Sequence, residues 1–178
     1  SGTSADLMDN FVRGFYDFLL ECELRSHVDM HTLRLPHTDA WGLLVRRDNP
    51  LAAKAAVMPE DLLGQPLISS RQGVKVGVLG QWLGNLADEM DVRATYNLPL
   101  NAKFLVRQGI GSAFTYRGLF EANELSDLAF VPLSPTLEFT QGLVWRKTLP
   151  TRQAQAFLDT LKGLCAERDF ENPPADAS

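Results

Sequence analysis

The amino-acid sequence predicts an α/β fold with mainly parallel sheets, and three observations carry that prediction. Short apolar runs bounded by turn residues recur along the chain, with stretches of helical periodicity between them; strands alternating with helices through short loops indicate βαβ units. Some runs are apolar at successive positions, as in Asp17-Phe18-Leu19-Leu20, which is the pattern of a parallel strand buried on both faces. A length of 178 residues and a hydrophobic content of 45% suffice for one large core or two smaller ones.

The elements follow in order. Thr3 or Ser4 can cap a first helix, Asp6 suits the positive end of its dipole, and Leu7, Met8, Phe11 and Val12 form one apolar face. Gly14 ends it, and Asp17 to Leu20 is the first strand. Residues 21–32 are polar and irregular and contain His27 and His31; with His37 they read as a solvated loop rather than a metal site. Leu33 to Leu35 and Trp41 to Val45 read as strand segments broken at Pro36. Asp48-Asn49-Pro50 is a turn, Leu51 to Ala56 a helical turn, and Pro59 opens a short helix stopped by Gly64. Leu67-Ile68 is a strand that ends in the polar loop Ser69-Ser70-Arg71-Gln72.

Val76 to Met90 has helical periodicity, with Leu79, Trp82, Leu83 and Leu86 on one face and three glycines weakening it. Val92 to Thr95 is a short strand. A helix then starts at Thr95, Tyr96 or Asn97 and runs to about Gln108, with Gly109 as its cap. Ile110 to Thr115 and Leu128 to Leu133 are strands flanking a short helix at Leu119 to Ala122. Leu137 to Trp145 is the last strand. Thr151 caps a final helix to about Arg168, with Ala154, Phe157, Leu158 and Leu161 inward, and residues 171–178 read as a disordered tail.

Composition excludes several functions. A formal net charge of −5 with scattered basic residues argues against direct nucleic-acid binding by this chain. Two cysteines, Cys22 and Cys165, are too few for a disulfide scaffold and lack neighbours for redox exchange, so inert thiols are expected. No run of 18 apolar residues and no signal peptide occurs, so the expected location is cytoplasmic, with no membrane partner. The chain has no G-x-S-x-G elbow, dinucleotide fingerprint or phosphate loop, so neither an enzyme nor a cofactor is expected.

An ordered set of segments resembles the effector-binding domain of LysR-type bacterial transcription regulators. Trp41 to Arg47 followed by Asp48-Asn49-Pro50-Leu51-Ala52 is similar to the family's strand and "dhPLA" turn. Asp61-Leu62 with Gly64 to Ile68, then Ala94 to Asn97 with Val106 and Gly109-Ile110-Gly111, match the following segments. Phe130 to Leu133, Val144 to Lys147 and Phe157-Leu158 complete the set, and Gly14 with Asp17 to Leu20 resembles the family's "G-x-x-D" strand start. Each motif alone is weak; their order over residues 3–165 is specific.

The resemblance implies a periplasmic-binding-protein-like fold of two α/β lobes with a small effector in the cleft between them. Lobe one would comprise residues 1–40 and 137–178, lobe two residues 41–136, with crossings near Pro36 to Ala40 and Pro132 to Leu137. The family opens lobe one with a further strand, helix and strand, so the first lobe is expected to be truncated at its N-terminus, with an open edge and one cleft wall missing. Homodimer or homotetramer assembly, and DNA contact only through a helix-turn-helix domain absent from this chain, are also implied.

Ligands of open α/β sheets sit beyond the carboxyl ends of strands, where helix N-termini favour anions. Four clusters meet that description: Gly2-Thr3-Ser4, Ser69-Ser70-Arg71, Thr95-Tyr96-Asn97 and Thr115-Tyr116. Arg71 is the most telling, because a guanidinium selects a carboxylate. Glu21, after the first strand, can bind an amine or hydroxyl, or pair with Arg71. Thr3, Ser4 and Thr95 serve equally as helix caps, Ser69 and Ser70 as loop residues, and Tyr96 as packing. The expected effector is a small organic anion. The competing reading is a solute-binding protein of a transport system with the same fold.

Overall fold

The computed structural model describes residues 4–71, 74, 77–120 and 127–171. The chain forms two compact units. One comprises Thr3–Thr38 with Phe139–Ser178, and the other Asp39–Glu138. The α/β class expected from the sequence is the class observed, as a mixed sheet fold.

In the first unit, α1 (Ser4–Val12) packs Phe11, with Leu7 and Met8, against Leu19 of β1 (Phe18–Glu21) and Val144 of β7 (Glu138–Arg146). Gly14 follows the helix with a positive φ, as its stop position requires. Arg146 fixes this corner: its guanidinium donates to the Phe11 and Tyr16 carbonyls at 2.6 and 2.8 Å and lies over the Phe11 ring. β1 pairs with β7 antiparallel, from Phe18 opposite Trp145 to Glu21 opposite Gly142. Leu20 is exposed, so β1 is not the parallel, doubly buried strand that its apolar run suggested. The helix α4 (Arg152–Glu171) is capped as expected, the Thr151 hydroxyl accepting from the Ala154 N–H at 3.2 Å. Ala154, Leu158 and Cys165 are buried; Phe157 is half-exposed against Phe18. Of the expected disordered tail, residues 171–178, Glu171 is instead the last residue of α4, and residues 172–178 lie outside the described residues.

The strand β2 (Met30–Arg46) is continuous, although two segments broken at Pro36 were expected. Its pairing with β5 and β6 begins at Trp41, beyond Pro36, and β2 also lies beside β7, so the strand carries on through the proline. His31 and His37 are therefore strand residues, not loop residues.

The second unit is a five-stranded sheet in the order β6-β2-β5-β3-β4. Its strands are β2 from Asp39 on, β3 (Pro66–Ser70), β4 (Asp91–Tyr96), β5 (Ser112–Tyr116) and β6 (Leu128–Pro132). Pairing is parallel between β3 and both β4 and β5, and antiparallel between β2 and both β5 and β6. Parallel pairing is thus narrower than expected: it occurs where full helices, α2 (Gly77–Leu83) and α3 (Pro99–Arg107), make the crossovers that parallel strands need. Before β3, Asn49 caps a 3-10 turn at Pro50–Ala53, accepting from the Leu51 N–H at 2.9 Å. A second turn, Pro59–Leu62, is held by Asp61, which accepts from the Met58 N–H and pairs with Lys54.

Two helices differ from expectation. The helical stretch from Val76 to Met90 is α2 followed by a 3-10 segment, Gly84–Glu89, because Gly84 has φ +55° and breaks the α ladder. The helix expected from Thr95 to Asn97 starts instead at Pro99, because β4 runs on through Tyr96 and proline suits the first turn. Ala102 and Val106 of α3 pack on Ile68, Tyr96 and Ala113, with Leu44, Phe120 and Leu128 completing the core.

Candidate functional site

The parallel register of the second unit aligns the carboxyl ends of β4, β3 and β5 side by side. Ser69 lies opposite Thr95 and Ser70 opposite Tyr96, while Ile68 lies opposite Ala113. Residues opposite one another share a sheet face. Two rows result. Thr95, Ser69 and Phe114 face the side of α2, whose Trp82 packs edge-on against Phe114 at 6.5 Å. Tyr96, Ser70 and Thr115 face the side of α3. Three of the four clusters expected from the sequence thus meet at one edge of one sheet.

Their roles differ. Ser69 and Thr115 are fully buried, at 0% exposure, and neither hydroxyl has a hydrogen-bond partner among the described residues. An unpaired buried hydroxyl costs about 1–3 kcal/mol. Tyr96, by contrast, is consumed by structure: its hydroxyl donates to the Phe114 carbonyl at 2.7 Å, and burial pushes its pKa well above the usual tyrosine value. The Arg71 N–H donates to the Tyr96 carbonyl, which extends the ladder by one residue and leaves the Arg71 side chain exposed beside the edge. Ser70 and Asn97 are at or just beyond the strand ends, and Tyr116 meets Trp41 of β2 edge-to-face, with ring centroids 4.5 Å apart. Since α3 begins at Pro99, Thr95, Tyr96 and Asn97 supply no helix N-terminus for an anion.

Gly2 and Thr3, and the side chain of Ser4, lie outside the described residues. Glu21 belongs to the first unit, where its carboxylate pairs with His27 at 3.0 Å and accepts from the Arg25 N–H. Cys22 is exposed and Cys165 buried, and they form no disulfide with each other. Among the described residues no group of three ligating side chains could hold a metal, and no helix is long and apolar enough to cross a membrane.

Two further polar groups pack around these strands. The Trp82 Nε1–H is buried without a partner among the described residues. Sequence periodicity placed Trp82 on an apolar helix face, which gives no hint of an unpaired donor. Asp39, a buried carboxylate on β2, accepts from the Ala40 N–H at 2.8 Å and the Gly118 N–H at 3.0 Å. It so holds the 3-10 turn Arg117–Leu119, which follows Thr115 and Tyr116, against the sheet.

Residues 1–166 match the family described as LysR substrate binding domain. The chain belongs to this family. The LysR domain also resembles solved structures of low identity. The CcmR regulatory domain of Synechocystis PCC6803 in complex with 2-PG superposes with a TM-score of 0.73 at 17% identity, covering 92% of this chain and 80% of that one. HinK, a LysR family transcriptional regulator from Pseudomonas aeruginosa, gives 0.68 at 17% identity over 92% of this chain. The MetR regulatory domain of N. meningitidis gives 0.67 at 16%, covering 94% of this chain and 76% of that one. The chain spans 58% of the HinK chain. No curated protein sequence matches it.

Proposed function

We propose that this chain is the effector-sensing domain of a LysR-type transcription regulator, and that a small organic anion binds at the carboxyl ends of β3, β4 and β5. The observation that supports this reading is the buried hydroxyls of Ser69 and Thr115, one on each face near that edge and each without a partner among the described residues, together with the exposed Arg71 side chain just after β3. Hydroxyls donate to an anion's oxygens without a buried charge of their own, and Arg71 supplies the complementary charge. The 2-PG carried by the CcmR regulatory domain is an example of a small ligand on the same fold. The regulator would work in the cytoplasm as a homodimer or homotetramer. It would reach DNA through a helix-turn-helix domain outside this chain and act as a sensor rather than a catalyst. Effector binding would shift the balance between regulator states by its differential affinity for them.

Isothermal titration against a panel of organic acids that includes 2-PG tests the reading. Arg71→Ala is expected to weaken the best binder about tenfold or more, the effect of losing a charge-assisted hydrogen bond. Unchanged affinity in Arg71→Ala removes the anion assignment.

A further inference from the structure

The geometry points to a binding site within the first unit: a pocket at Trp145 that takes a small carboxylate with a flat apolar body. This site does not rest on the effector reading above.

An open pocket of about 410 Å³ lies where β7 hands over to α4. That volume falls within the range of small-molecule sites, roughly 300–1,000 Å³. One wall is His31, at the start of β2. A second is Trp145 of β7 with the loop that follows it, and the third is one face of α4. Gln155, Leu158 and Lys162 line it together because residues three and four apart are neighbours on a helix.

Charge and apolar surface together set the ligand class. Two ammonium groups reach the pocket, and each is held in place. Lys162 Nζ stands 5.6 Å from the centre of the Trp145 ring, a cation–π contact. Lys147 Nζ donates to the Val28 carbonyl at 2.7 Å, which uses one of its three N–H groups. No carboxylate is among the described lining residues, although the chain carries 22 acidic residues against 17 basic ones. Asp159, the nearby acid on α4, accepts from Gln155 Nε2 at 2.7 Å and does not line the pocket. The charge of this pocket thus runs against that of the chain and selects an anion. Beside the ammoniums stand Trp145, Leu158 and Leu149, the last 98% exposed. A bare inorganic anion would leave that surface wet, whereas an apolar body on the anion covers it. The His31 ring, 5.4 Å from the Trp145 ring and tilted by 36°, adds a second aromatic wall, which favours a flat body.

The probe is 1-naphthoate. 1-Naphthylmethylamine supplies the same body with the opposite charge, and acetate the same charge without the body. The indole N–H resonances of the 15N-labelled chain are assigned with Trp41→Phe, Trp82→Phe and Trp145→Phe. Naphthoate is expected to shift the Trp145 resonance saturably, and the amine and acetate to leave it in place at equal concentration. Replacing both lysines, Lys147→Gln and Lys162→Gln, is expected to weaken naphthoate binding about tenfold or more by isothermal titration. Both side chains are exposed, so the thermal midpoint of this double variant is expected to stay close to that of the parent, which shows that it is folded. Equal shifts with naphthoate and the amine would overturn the charge selection, and an unmoved Trp145 resonance would overturn the site. Naphthoate affinity lost in Arg71→Ala but kept in the double variant would assign the binding to the carboxyl ends of β3, β4 and β5 and overturn the pocket.

Discussion

At the scale of single residues, the candidate site is marked by side chains that fail to satisfy one another. Ser69 and Thr115 are buried with hydroxyls that have no partner among the described residues, whereas the buried Tyr96 hydroxyl of the same unit is paired with a carbonyl. Such groups weaken the unliganded fold. Thr115→Val keeps the shape and removes the hydroxyl, and Ser69→Ala removes it with little change in volume. Each is expected to stabilise the unliganded protein by about 1 kcal/mol, or roughly 2–4 °C in Tm for a chain of this size. Differential scanning calorimetry measures this, and a lower Tm in both variants would show that the hydroxyls are satisfied in solution. Part of this was legible in the sequence: Ser69 and Thr115 sit at strand ends that the apolar runs predict. What was not legible is which face each side chain takes. Tyr96 reads as a site residue in the sequence and is a core residue in the fold, because one step along β4 from Thr95 reverses the side chain's direction.

At the scale of elements, close approach explains why some positions admit only glycine. Gly111 immediately precedes β5 beside the start of β3, and a Cβ there would stand 2.5 Å from the Pro66 carbonyl oxygen. That atom is backbone and cannot rotate away, so β3 and β5 would have to separate at their first pairs, Leu67 with Ser112 and Ile68 with Ala113. Gly111→Ala is expected to cost about 1–3 kcal/mol, in the range of overpacked sites. Urea denaturation would show this as a lower midpoint at constant slope, and an unchanged midpoint would mean the strands separate freely. The sequence placed this glycine at the start of the strand expected from Ile110 to Thr115, and it identified the Thr151 cap and the Asn49 turn correctly. It misplaced the start of α3 because Thr95 has the chemistry of a cap, while the strand pairing of Ser69 with Thr95 outweighs that local preference. It split β2 at Pro36 because proline signals a break unless the neighbouring strands are known.

At the scale of the whole molecule, the two units are built differently from the chain. The first draws on both termini, so its core joins Phe11 and Leu19 to Val144, more than a hundred residues away. The second is a single stretch, Asp39–Glu138, with a helix on each face of its sheet and a core from Leu44 through Ile68, Tyr96, Val106 and Ala113 to Leu128. About 100 residues is the commonest size of an autonomous domain. Residues 39–138 expressed alone are therefore expected to fold, giving a cooperative thermal transition in far-UV circular dichroism and dispersed amide resonances. Both strands at the margins of this sheet, β4 and β6, are short, which limits edge-to-edge aggregation of the isolated unit. A gradual, non-cooperative melt would mean that the core of the second unit depends on the rest of the chain. A cooperative one would place Ser69, Arg71 and Thr115 on a scaffold that holds its own geometry. Anion binding by the fragment, weakened by Arg71→Ala as in the full chain, would then locate the recognition chemistry within this unit.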